Sequence, residues 1–125
     1  MRPEGLGASR AWRSGVSGGA LLRLAHARPG ARVEVPFESA VEGDYLVRVD
    51  GQVGPSGGDY ALALDGEPLG SWRGYAAERR AARGETVRRK VTAGRHVLVA
   101  TCTGRDEEST GYDAELDALV GEPVP

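Results

Sequence analysis

A single cysteine, few aromatic residues, no excess charge of either sign and no long apolar run set the first limits on this chain of 125 residues. Cys102 stands alone, which excludes an intrachain disulfide and a cysteine-rich zinc site. Its alternation with Leu98 and Ala100 makes it a small core hydrophobe rather than a nucleophile. Sixteen basic against eighteen acidic residues leave a formal charge of -2, so no global field draws the chain to nucleic acid or to an anionic membrane. The basic run Arg79, Arg80, Arg83, Arg88, Arg89 and Lys90 is interspersed with Glu78 and Glu85 and reads as a solvated face. No apolar stretch is long enough to span a bilayer, yet a hydrophobic fraction of 40% is too high for a disordered chain. His26 and His96 lie in separate segments and do not form a metal triad. The stretch from Gly15 to Leu22 is short, glycine-rich and ended by Arg23, so it reads as the entry to a strand and not as a leader peptide.

What is plentiful is turn chemistry. Nineteen glycines and seven prolines lie between apolar runs and follow no collagen-like period. Pro29-Gly30 launches Arg32 to Phe37, Glu42-Gly43 launches Asp44 to Val49, and Gly57-Gly58 launches Asp59 to Leu64. Gly94 launches Arg95 to Val99, and a polar loop from Thr103 to Tyr112 precedes a closing run from Leu116 to Val120. Strict alternation within these runs predicts strands near residues 11–13, 21–26, 31–38, 44–50, 59–65, 86–91, 95–103 and 114–120. Period two selects Val33, Val35, Phe37, Tyr45, Val47, Val49, Tyr60, Leu62 and Leu64 as inward residues, because a slip of one would bury Arg32, Glu34 or Arg48. Asp65-Gly66 reads as a hairpin turn.

The stretch from Trp72 to Gly84 breaks the alternation. Its Ala, Glu and Arg content predicts a turn or two of helix across one end of the molecule. The expected architecture is therefore all-β: one domain over residues 1–125, with its core at about 14–120. Two antiparallel sheets of about eight strands in all form a sandwich with one short helical insertion.

The succession from Pro29-Gly30, through Tyr45–Val49 and Tyr60–Gly66, to Gly94–Val99 and Ser109–Val120 resembles the jelly-roll modules of the galactose-binding-like superfamily. The resemblance runs from about Ser14 to Val120 and rests on turn and core positions. Two branches are similar: the non-catalytic carbohydrate-binding modules of secreted bacterial glycanases, and the jelly rolls of fructofuranosidase and arabinofuranosidase-type hydrolases. The resemblance implies a non-catalytic module that binds a glycan. The alternative is a structural or assembly sandwich that meets a protein partner or another copy of itself. A hydrolase would need a pair of carboxylates at a set separation, and its jelly-roll relatives build their sites from two such units.

Sugars are held by aromatic stacking and by hydrogen bonds from amides and carboxylates. Trp72 and Tyr75 on the insertion and Tyr112 in the last loop are the aromatic candidates, with Asp106 and Asp113 as the polar ones. For Trp72, a plug at the end of the core is the competing reading. Glu115 and Asp117 are candidate metal ligands, since calcium takes six to eight oxygens and neighbouring carboxylates supply several. In the resembling modules an acid in a closing "D-x-L" strand joins an N-terminal Glu at a structural calcium. Asp117 matches the first, whereas Glu4 substitutes poorly for the second. The plain reading is a solvated acidic loop and no cofactor.

Overall fold

The computed structural model describes residues 12–14, 21–25, 27–40 and 42–124. Ala11, His26, Glu4 and most of the stretch Gly15 to Leu22 discussed above lie outside them. Ten strands follow one another: β1 (Trp12–Ser14), β2 (Leu22–Leu24), β3 (Arg32–Ser39), β4 (Gly43–Val53), β5 (Asp59–Leu64), β6 (Glu67–Arg73), β7 (Arg80–Arg83), β8 (Val87–Val91), β9 (Gly94–Gly104) and β10 (Ala114–Pro123). They form two antiparallel sheets. In the six-stranded sheet β10 and β4 pair at the centre. The far side of β10 carries β1 and β2, and the far side of β4 carries β7 and β8. The four-stranded sheet runs β3-β9-β5-β6.

Alternation decides which faces meet. On β4, Tyr45, Val47, Val49 and Val53 are buried, while Arg48, Asp50 and Gln52 point outward and are half-buried. On the opposing sheet Tyr60, Leu62 and Leu64 of β5 and Leu98, Ala100 and Cys102 of β9 complete the core, with Val33, Val35 and Phe37 packed at its margin. The two sheets therefore enclose one apolar layer, the arrangement expected when each strand has a single apolar face. The hairpin β5–β6 turns at Asp65-Gly66, whose φ angles of 52° and 86° fit a type I′ turn. At the open edge of the sandwich Arg89 of β8 crosses to the other sheet, binding Glu67 at 2.6 Å and donating to the Pro68 carbonyl.

The expected helical insertion is absent. Trp72 ends its run inside β6, and Arg80–Arg83 is a strand paired with Val53–Asp50 of β4. Helix propensity in this stretch is worth only tenths of a kcal/mol per residue, so the unpaired edge of the eleven-residue strand β4 overrides it. Both additional strands, β6 and β7, lie in or next to the region expected to be irregular.

Candidate functional site

Trp72 is 2% exposed and belongs to the core. Its ring fills space left by two glycines of the opposite sheet: a Cβ at Gly51 would stand 3.1 Å from Trp72 Cη2, and one at Gly84 3.5 Å from Trp72 Cε3. The indole cannot stack on a sugar, so its assignment to a binding surface is corrected; inward position in a strand determines its burial. Tyr75 is half-buried and bridges Gly54. Tyr112 is half-buried as well, with the Arg105 guanidinium 5.3 Å from its ring centroid and its carbonyl accepting from the Tyr60 hydroxyl.

Three loops meet at one end of the six-stranded sheet. Gly54 N–H donates to Gly74 O and Gly74 N–H to Gly58 O, both at 3.0 Å, while Gly58 N–H reaches Asp113 O at 2.8 Å and Asp113 N–H reaches Ser56 O at 2.9 Å. A Cβ on Gly57 would stand 1.8 Å from Gly74 O, and one on Gly58 2.6 Å from Tyr112 Cα, so only glycine permits this approach. The Ser109 hydroxyl, 3% exposed, lies beneath, 2.7 Å from Gly57 O and 2.9 Å from Gly111 O. The loop backbones are thereby tied to one another without side-chain bulk between them.

Above this floor opens a cleft of about 250 Å3, lined by Gln52, Ser56, Arg79, Asp113 and Glu115 together with backbone from Val53 to Gly57. Its side chains are already ordered. Ser56 donates to Asp113 at 2.8 Å, and Gln52 donates to Asp117 at 3.1 Å. Glu115 accepts from Arg79 at 2.7 Å and lies 3.4 Å from Arg23. The hydrogen bond from Arg79, aided by the charges of both guanidinium groups, holds the Glu115 carboxyl below the ordinary carboxylate range despite partial burial. No aromatic residue lines the cleft among the described residues.

The acidic candidates are therefore divided. Asp113 and Glu115 line the cleft, and Asp117 stands beside it at a β-bulge of β10, where Leu116 pairs with Gly51 and Ala118 with Asp50. Asp106 is exposed and accepts from Glu108 N–H at 2.9 Å, closing its own turn. The pair proposed as metal ligands has other partners, because Arg79 and Arg23 bring positive charge to Glu115 and the Gln52 amide binds Asp117. Among the described residues no group of three or more His, Cys, Asp or Glu is gathered to hold an ion. Gln52, Ser56 and Arg79 were not recognised in the sequence, where nothing marks them as neighbours of Asp113 and Glu115.

His96 occupies a second ordered polar site, on β9. Its Nδ1 lies 2.5 Å from Asp65 Oδ2 and its Nε2 2.6 Å from the Thr92 carbonyl, while its ring stacks on Phe37 at 5.5 Å. Burial opposes the charged ring, but the Asp65 hydrogen bond and the Thr92 carbonyl outweigh it, and the pKa rises above its ordinary 6.5. Two acceptors on two nitrogens require two N–H groups, which only the imidazolium has.

No family model matches the chain, and no curated protein matches it. Among solved structures it is similar to a Paenibacillus xanthan lyase, with a TM-score of 0.75 and 19% identity, over 91% of this chain and 11% of the lyase. A family 35 carbohydrate-binding module from an environmental isolate matches 77% of this chain and 72% of its own, with a TM-score of 0.50 and 13% identity. The CBM36-1 domain of a multidomain xylanase from the hindgut metagenome of Trinervitermes trinervoides matches 82% and 77%, with a TM-score of 0.50 and 16% identity. The chain thus has the jelly-roll sandwich fold found in carbohydrate-binding modules. It spans about a tenth of the xanthan lyase.

Proposed function

We propose that the chain is a non-catalytic carbohydrate-binding module whose glycan lies on the outer face of the six-stranded sheet, in the cleft between Gln52, Ser56, Arg79, Asp113 and Glu115. The observation that carries this reading is the cleft itself: carboxylates that accept, an amide and a guanidinium that donate, and a hydroxyl that does either, all on a glycine-tied floor. Such a set matches the paired hydroxyls of a sugar, each of which both donates and accepts. Recognition is by hydrogen bonding, with Tyr75 beside Gly54 and Tyr112 beside Asp113 as flanking aromatics.

The non-catalytic part of the reading is supported by the two carbohydrate-binding modules, which the chain matches over most of their own length. Arg79 adds that Glu115 is held ionised, which removes it from the role of general acid. Affinity electrophoresis through a panel of soluble polysaccharides that includes xanthan and xylan tests the proposal. Retardation is expected in at least one gel, is expected to be lost in Asp113→Ala, and should occur without release of reducing ends. A protein that migrates freely through every gel, or that cleaves what it binds, overturns it. If the chain were instead an assembly domain, it would elute as an oligomer from a sizing column and bind no polysaccharide.

A further inference from the structure

We infer that the ligand is an extended glycan covering at least two sugar units along the six-stranded sheet, rather than a single sugar; this rests on the carbohydrate-binding reading above. The cleft does not stand alone. A second depression, of about 310 Å3, is lined by Asp50, Gly51, Ala81, Ala82, Arg83 and Asp117. The two adjoin along β4, where Gln52 of the first hydrogen-bonds Asp117 of the second at 3.1 Å and pairs across the sheet with Ala81. A third, of about 240 Å3, shares Asp113 and Glu115 with the first and continues toward Arg23 on β2. Each is close to or below the roughly 300 Å3 at which sites begin to enclose a small ligand. Their continuity gives a longer ligand the contact area that no single depression offers.

The second depression has its own recognition chemistry. Asp50 accepts from Arg48 at 2.9 Å, and Asp117 is held by Gln52. Arg83 differs from the other guanidinium groups of this face: Arg23, Arg48 and Arg79 each meet a carboxylate, whereas Arg83 is exposed and meets none among the described residues. Its donors are free to reach hydroxyl or ring oxygens of a sugar that neighbours the one in the first cleft.

The test measures calorimetric affinity for oligosaccharides of one to six units, prepared from whichever of the polysaccharides the protein retains. The wild type should bind the hexasaccharide at least about tenfold more tightly than the monosaccharide, the scale of one added charged hydrogen bond. Arg83→Ala, checked for an unchanged melting curve, should reduce that ratio severalfold, and Arg83→Lys should restore part of it. A monosaccharide bound as tightly as the hexasaccharide overturns the inference while leaving the carbohydrate-binding reading in place. So does a ratio unchanged by Arg83→Ala. Failure to bind at every length removes both.

Discussion

The two outer faces of the sandwich come from the same alternation of residues, yet they differ in where their charged groups gather. Outside the six-stranded sheet, Arg48 with Asp50, Gln52 with Asp117 and Arg79 with Glu115 form ordered pairs around three adjoining depressions. Outside the four-stranded sheet, charge follows the edge strand β3, where Arg32 meets Glu34 at 3.2 Å and Glu38 pairs with Arg95 of β9, while the middle of the face sets Ala61 beside Thr101 and Ala63 beside Val99, uncharged side chains. The difference shows that the outward half of a strand pattern is not filler. A fold needs only its inward residues to be apolar, so the outward ones are free to carry charge and shape, and here the six-stranded sheet gathers them around depressions at its middle.

The strongest way to break this contrast is through the interior that supports both faces. Trp72→Ala should cost about 3–5 kcal/mol in urea unfolding, since it removes a large buried ring and leaves a cavity beneath Gly51 and Gly84. A cost below about 1 kcal/mol would contradict the placement of the indole in the core. Gly57→Ala should come next, at about 3 kcal/mol, because its Cβ would collide with Gly74 O and force two loops apart. Polysaccharide retention should fall with it even where the protein stays folded, which would tie the polar face to the loop floor.

A smaller effect belongs to His96, on the four-stranded sheet. A pKa above 6.5 in the folded state means that protonation favours folding. The stabilisation is complete below the unfolded value and disappears as pH rises through the folded one. Melting temperature should therefore decline as pH climbs through that window, and His96→Gln should flatten the decline; an equal slope in both proteins would assign it elsewhere. The smallest effect sharpens the contrast directly. Ala61→Ser in the uncharged middle of the four-stranded face should change stability by less than about 0.5 kcal/mol and leave polysaccharide retention as it was.

Strand content was legible because period two is imposed by burial, and Tyr45, Val47, Val49, Tyr60, Leu62 and Leu64 are buried as the alternation requires. The turn at Asp65-Gly66 was legible because its residue types tolerate positive φ. β7 was not. Arg80-Ala-Ala-Arg83 has the composition of a helix, and it becomes a strand only because β4 offers an open edge 27 or more residues earlier in the chain. β6 was obscured by Pro68 and Gly70, which interrupt its alternation at a bulge opposite Leu62 and Ala63. The carboxylates of the cleft were visible as a cluster in the sequence, but their partners were not. Gln52 reaches Asp117 across 65 residues, Ser56 reaches Asp113 across 57, and Arg79 reaches Glu115 across 36. Local pattern carries no record of such pairings, so a polar site built between strands emerges only once the sheet is assembled.

The glycine contacts under the cleft have a thermodynamic consequence. Where Gly54, Gly57, Gly58 and Gly74 meet through backbone alone, there are no χ angles left to freeze when a ligand settles. The ordering entropy of that surface has been lost already, during folding, and its tie to Ser109 and Asp113 keeps it from being regained. A sugar resting on that floor would meet backbone with little freedom left to lose, so the unfavourable entropy of association would come from the exposed arginines that reach it and from the glycan, whose linkages must adopt one conformation along the sheet. Stiffer glycans would then bind more tightly than flexible ones of the same composition, with a smaller entropic penalty by calorimetry.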